Sequence, residues 1–408
     1  MKAQRNYPIF VITPKSENSL KKGHPWVYGE EILEKKGEYE NGDIVDVVSK
    51  KGRYLGSGFV NDNSKITVRI ISKNTNDKFD EKFFERRVRY ALEYRKAVMG
   101  EDFSNCRLIF GESDQLPGLT VDRFSDILVA QVLSLGIEKR KDIIFKALVD
   151  ILREMGEEIS AIYERNDVAI REKEGLTEYK AFYEMEGLKT DLSGIVEITE
   201  NGIKYDVDYI GGQKTGYFLD QKYNRKAIQR IAKGRKVLDC FTHTGAFALN
   251  AAIAGAQHVC AVDISQHAID SAMNNAKKNN LENVSFLCTN VFDLLTNMAE
   301  EKKCDYDFII LDPPAFTKSS QTAQNAYKGY KEINMKAMKL LPRGGYLATC
   351  SCSHFMKNYM FEQMLKEAAF DAGVSLRQIE VRQQSCDHPI LWNVPETDYL
   401  KFYIFQVV

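Results

Sequence analysis

Two short stretches carry side chains able to do covalent and acid–base chemistry. Thr349-Cys-Ser-Cys-Ser-His354 closes an apolar run that reads as a strand, and Asp312-Pro-Pro-Ala-Phe316 closes another. In alternating α/β chains, ligands bind in the crevice beyond the carboxyl ends of the strands. A cysteine and an aspartate at adjacent strand ends would face one crevice. A thiolate that adds to carbon 6 of a pyrimidine makes carbon 5 carbanion-like, and so splits a hard step into easier ones. Cys352, at the strand end, is the candidate nucleophile; Cys350, deeper in the strand, reads as a buried small hydrophobe. A free thiol has a pKa of about 8.5, so a neighbouring cation or base would help, and His354 is the local candidate. Asp312, fixed by two prolines, and Phe316 suit a flat base held by hydrogen bonding and stacking. The prolines also fit a plain strand stop.

A second group of residues suits a nucleotide-like cofactor. Lys236-Val-Leu-Asp-Cys-Phe-Thr-His-Thr-Gly-Ala-Phe247 reads as strand, tight turn and helix. Free N–H groups at such a helix start face the ligand crevice. A dinucleotide fingerprint needs three glycines; only Gly245 is present, and Asp239 is badly placed for a phosphate. Asp239, Thr244 and Gly245 fit a ligand with an ammonium group instead, namely S-adenosylmethionine. Asp263 ends the next strand at the offset that accepts bonds from ribose hydroxyls, and Asp293 follows the third strand, where it could meet the adenine amine. Each alone also reads as a helix cap. Phe218 and Asp220, just before the sheet, would close over the cofactor; core and cap is their generic alternative. At this point the sequence resembles the class I S-adenosylmethionine-dependent methyltransferases. A metal site is not expected. Cys350, Cys352, His354, Cys386 and His388 supply donors, but Cys-x-Cys on a strand chelates poorly.

The elements that must position these groups follow from periodicity. Strands are expected at 236–240, 258–263, 284–288, 306–311, 345–350, 376–381 and 400–407, with helices between the first six, notably 266–279, 330–341 and 359–372. This alternation predicts an α/β fold with a doubly wound, mainly parallel, seven-stranded sheet at residues 193–408. Its last strand follows a loop, which suits an antiparallel insertion. Asn201-Gly202 predicts a hairpin ahead of it. Residues 1–74 form a β-rich unit with strands at 43–48 and 65–71 and a turn at Lys51-Gly52. Residues 75–192 form a central α/β unit, with an amphipathic helix over 78–99 and charged loops at Glu164–Asp167 and Arg171–Glu174.

Of the 408 residues 44% are hydrophobic and 28% charged, the composition of a soluble globular protein; no apolar run is long enough for a transmembrane helix, and no signal-peptide pattern opens the chain. Eight cysteines without a Cys-x-x-Cys pair fit the cytoplasm. Net charge is −1, so charge is informative only locally. Residues 1–75 hold 13 Lys/Arg against 9 Asp/Glu, with Lys21 and Lys22 beside Gly23-His-Pro-Trp26. Basic groups next to an aromatic can grip RNA, although Trp26 also fits a core.

Ser19–Tyr28 resembles the start of a PUA-type RNA-binding domain, and the resemblance extends over nearly the whole chain. Gly23-His-Pro-Trp26, Gly111-Glu-Ser-Asp-Gln-Leu-Pro-Gly118, Lys214-Thr-Gly-Tyr-Phe-Leu-Asp-Gln221, Asp312-Pro-Pro, Gly329-Tyr-Lys-Glu-Ile-Asn334, Ser351-Cys-Ser353 and Asp387-His-Pro389 are similar to the bacterial ribosomal large-subunit RNA methyltransferase I family. The resemblance implies a PUA-like domain, a central α/β domain and a Rossmann-like methyltransferase domain. It further implies that Cys352 attacks a cytosine of 23S ribosomal RNA while Asp312 orients it. Related RNA 5-methylcytosine enzymes carry a second cysteine after the fourth-strand proline; Ala315 stands here, so the group that removes the carbon 5 proton is unassigned. The Thr242–Gly245 turn departs from a more glycine-rich pattern. A base-nitrogen methyltransferase and a non-catalytic RNA-binding assembly factor are the alternatives. Oligomeric state is not legible.

Overall fold

The computed structural model describes residues 5–301, 304–317 and 322–408. It separates into two compact units, neither contiguous in sequence. Unit one comprises Met1–Ile198, Val207–Leu219 and Cys386–Thr397; unit two comprises Thr199–Asp206, Asp220–Ser385 and Asp398–Val408. The sequence division at 74 and 192 draws its lines elsewhere.

Unit one holds two sheets. The first has six strands in the order Trp26–Tyr28, Ile66–Ser72, Tyr54–Val60, Ile44–Ser49, Ile9–Ile12 and Ile32–Lys36. Tyr54–Val60 was not expected, because Gly56 and Gly58 weaken a strand signal. Gly58 is there for a steric reason: a Cβ would fall 2.1 Å from the Arg69 carbonyl oxygen on the adjacent strand. The second sheet runs Tyr179–Phe182, Ala161–Asn166, Ile127–Val132, Leu119–Phe124 and Asn105–Phe110. Here the loop expected at Glu164–Asp167 is corrected, since Ala161–Asn166 is a wholly buried strand. Its charges are paired: Glu164 accepts from Lys141 and Tyr179, and Arg165 donates to Asp167 and to the carbonyls of Tyr209 and Gly212. Charge alone suggested solvent; satisfied partners allow burial. Ile170–Lys173, also read as loop, is a short helix with Arg171 buried against Glu138. The helix expected over 78–99 spans Glu81–Met99, started by the Asp80 side chain accepting from the Phe83 N–H.

Cys386–Thr397 joins unit one through specific bonds. Asp387 accepts the Arg107 N–H at 2.8 Å, its carbonyl accepts from the buried Arg95, and Ser113 donates to the Pro389 carbonyl. These contacts give the Gly111–Gly118 and Asp387-His-Pro389 motifs a shared structural role.

Unit two is the doubly wound sheet. Its strands are β1 (Lys236–Cys240), β2 (His258–Asp263), β3 (Val284–Cys288), β4 (Phe308–Leu311), β5 (Tyr346–Ser351), β6 (Leu376–Arg382) and β7 (Lys401–Val407), in the order β3-β2-β1-β4-β5-β7-β6. The first five are parallel; β7 enters antiparallel between β5 and β6. The helices are α1 (Lys222–Ala232), α2 (Ala246–Ile253), α3 (Gln266–Lys278), α4 (Val291–Glu301), α5 (Ala323–Leu340) and α6 (Asn358–Ala372). They cover both faces, so β1 and β4 are buried along nearly their whole length, as near-continuous apolar strands of a parallel sheet should be. The strand order reverses between β1 and β4, whose carboxyl ends carry Asp239 and Asp312. That switch point opens the crevice. Ahead of the sheet, Ile195–Glu200 and Ile203–Asp208 pair as a hairpin turned by Asn201 and Gly202, both at positive φ.

Candidate active site

The turn after β1 is built on three left-handed residues: Phe241 (φ 65°), His243 (φ 50°) and Gly245 (φ 83°). Only the last is a glycine. A Cβ at Gly245 would lie 3.0 Å from that of Ala272, so α3 sets its identity as well as φ. The departure from a glycine-rich pattern therefore appears as two strained non-glycine residues at the head of the crevice. Asp239 is fully buried beneath them; one carboxylate oxygen accepts from the Thr242 hydroxyl (2.6 Å) and the Ala248 N–H (2.9 Å). Burial, with Asp312 adding repulsion, pushes Asp239 up to about 7, against the pull of Thr242. Among the described residues, its other oxygen, Oδ1, and the buried Thr244 hydroxyl have no hydrogen-bond partner. Buried polar atoms are rarely left unmet. A carboxylate oxygen and a hydroxyl donor without partners, at a helix start and a topological switch point, fit the ammonium and carboxylate end of S-adenosylmethionine.

The other expected cofactor residues are placed less uniformly. Asp263 at the β2 end accepts from the His243 N–H (2.9 Å) and the Ser265 N–H (3.0 Å), so it ties β2 to the strained turn. Its alternative role as a cap belongs to Ser265, which accepts from the Ala268 N–H at the start of α3. Asp293 lies exposed in the first turn of α4, where Asn290 accepts from the Phe292 N–H. Asp220 is buried in unit two and accepts from the Tyr399 hydroxyl at 2.6 Å. Phe218 is half-buried in unit one, with the Lys214 ammonium 4.8 Å from its ring centroid.

At the β4 and β5 ends the chemistry converges. Asp312 accepts from the Gln221 amide (3.1 Å) and from the Cys350 thiol (2.9 Å). Its surroundings push it up to about 6, chiefly by burial, while the Cys350 and Gln221 donors pull it down. Cys350 is buried as expected and is also a hydrogen-bond donor to the central carboxylate, and burial beside Asp312 drives its own pKa well up. It stays a thiol. Cys352, just past β5, keeps part of its surface. His354 turns its Nε2 to the Lys357 ammonium at 3.3 Å. Phe316 packs its ring on Tyr330 (centroids 4.6 Å apart) and Phe292 (5.7 Å), so part of its π surface is already used. Two residues escaped the sequence reading. Gln221 bridges α1 to Asp312. Lys401, at the start of β7, is buried near Cys352 and donates to the Ser353 carbonyl at 2.7 Å. A charge inside the apolar run Leu400–Val407 was the available signal.

A model of S-adenosylmethionine-dependent methyltransferases matches residues 175–402, and a PUA-like model matches residues 10–73. The ribosomal RNA large subunit methyltransferase I of Pseudoalteromonas translucida is 41% identical, with 96% of this chain and 97% of that protein aligned; that of Klebsiella pneumoniae is 37% identical over 98% and 99%. This chain belongs to the ribosomal RNA large subunit methyltransferase I family. Its cofactor is S-adenosylmethionine. Two solved structures, a candidate methyltransferase from Streptococcus mutans and a methyltransferase complexed with SAH, share the fold at TM-scores of 0.80 and 0.81 and 21% identity, over 98% of this chain.

In this family member the basic stretch of unit one ends the helix Pro14–Lys21. Lys22 is exposed, and Lys21 is exposed beside Glu17 at 2.6 Å. Trp26 is half-buried with its N–H donated to Glu112 at 3.0 Å. Another aromatic stands out: Trp392 is 93% exposed. Its neighbours Leu391 and Asn393 line, with Gly23, Pro25 and Lys73, a cavity of about 300 Å³. Gly23 lies directly against the Asn393 side chain, which leaves no room for a Cβ. Among the described residues, no helix is long and apolar enough to cross a membrane.

Proposed function

We propose that this protein methylates carbon 5 of a cytosine in large-subunit ribosomal RNA through a covalent adduct with Cys352. The observation that carries the reading is the pairing of a partly accessible cysteine past the β5 end with a half-buried, thiol- and amide-braced carboxylate at the neighbouring β4 end. Asp239, Thr244, Gly245 and Asp263, with Asp220 and Asp293 contributing, would hold S-adenosylmethionine, which would supply an electrophilic methyl group. The Cys352 thiolate adds to carbon 6, forming a C–S bond and moving the ring electrons to carbon 5. Carbon 5 would take the methyl group as its bond to the sulfonium sulfur breaks; the carbon 5 proton would then pass to a base or water, and the C–H bond pair would re-form the ring double bond and expel the thiolate. Asp312, ionised above about pH 6, accepts from the cytosine edge and fixes the ring. Phe316 borders that place. Nitrogen chemistry would need no thiol at all, so replacing Cys352 with Ala separates the two readings.

For the RNA, Lys21 and Lys22 supply backbone attraction, and Trp392 suits base stacking better than Trp26, whose N–H is engaged and whose ring is half-buried. Mass mapping of ribosomal RNA from cells with and without the protein tests the whole reading: one 5-methylcytosine should vanish. If every cytosine methyl group persists, the reading fails.

A further inference from the structure

Lys401 is 3% exposed, and its ammonium is anchored on two carbonyl oxygens, those of Ser353 (2.7 Å) and Tyr399 (2.8 Å). Neither is a carboxylate. A buried lysine is normally neutralised by an ion pair or gives up its proton. Among the described residues Lys401 makes no ion pair. The β5–β7 register sets Ser351 opposite Lys401, so the carbonyl that anchors the ammonium belongs to the residue after Cys352. Four titratable groups lie near enough to act on its charge: Cys352, Asp398, Lys357 and Cys350. Burial, helped by Lys357, brings the ammonium down to about 8, against the pull of Cys352 and Asp398 when they are ionised. His354, the local alternative, faces Lys357 instead.

We propose that Lys401 is a positioning residue that activates Cys352, holding a positive charge beside the sulfur so that the thiol ionises at lower pH. The thiol proton passes to water, or to Lys401 when the amine is neutral; both routes end in the same thiolate–ammonium pair, with no change in the number of electrons. The buried cation is tolerated because the thiolate compensates it. This inference rests on Cys352 being the nucleophile.

The test is the pH dependence of iodoacetamide alkylation at Cys352 in the full chain, resolved by peptide mass spectrometry from the other seven cysteines. In the unmodified protein the midpoint should lie below the ordinary thiol value of about 8.5. In Lys401→Met it should rise, with the rate at pH 7 falling about tenfold; Lys401→Arg should restore most of the shift. A midpoint in the unmodified protein at or above the ordinary value overturns the proposal, whether or not Lys401→Met folds. Equal midpoints in a folded Lys401→Met also overturn it. If Cys352→Ala is inactive but Lys401→Met leaves the Cys352 midpoint unchanged, the role of Lys401 alone falls. Active Cys352→Ala removes the cytosine reading instead.

Discussion

At the scale of single residues, the site is a set of titrations held apart by environment. Asp239 is raised to about 7 and Asp312 to about 6, both first by burial. A carboxyl raised above its unfolded value favours folding below that value and loses this contribution as pH rises through the folded one. The cofactor-free protein should therefore lose stability between about pH 4 and 7 from these two groups. Asp239→Asn removes one of them. It should raise the cofactor-free melting temperature at pH 8 but not at pH 4, while weakening S-adenosylmethionine binding by at least tenfold in calorimetry. Weakened stability at pH 8 would show that Asp239 serves structure first. Activity needs Asp312 ionised, so kcat/KM should fall as pH drops through about 6. An Asp312→Asn variant should be slow and lack that acidic limb. The sequence showed the acidic strand ends but not their state, because burial and the Cys350 donor depend on which strands become neighbours.

At the scale of elements, the sheet was legible from alternation: all seven of its strands begin and end within two residues of expectation, and β7 is antiparallel as its loop connection implied. What escaped was wherever local composition opposed the tertiary setting, as in glycine-bearing Tyr54–Val60 and charged Ala161–Asn166. The turn after β1 makes a paired prediction. His243→Gly removes a left-handed side chain and should gain up to about 1 kcal/mol, offset by entropy. Gly245→Ala meets both an adverse φ and Ala272, and should lower the melting temperature and cofactor affinity together. On the loop at 386–397, Trp392→Ala should weaken binding to single-stranded RNA about 5–100-fold with the salt dependence kept. Replacing Lys21 and Lys22 with Ala should instead flatten the salt dependence.

At the scale of the whole molecule, the partition matters more than the number of domains. A fragment spanning 193–408 carries Cys386–Thr397 away from Arg95, Arg107 and Ser113 and exposes Val394, buried in the full chain. It should unfold at lower temperature than the full chain and bind dyes that report exposed apolar surface. The same interleaving bears on how the protein is born. Most of unit one precedes unit two along the chain, yet its last piece, Cys386–Thr397, is made only after most of unit two. A nascent chain halted at Leu219 holds Arg95 and Arg107 without the acceptors that Asp387 brings. Amino-terminal units ordinarily finish folding while the rest is being made. Here the amino-terminal unit waits for the carboxyl-terminal one, so the two mature together, and neither can be exchanged between genes as a single uninterrupted cassette.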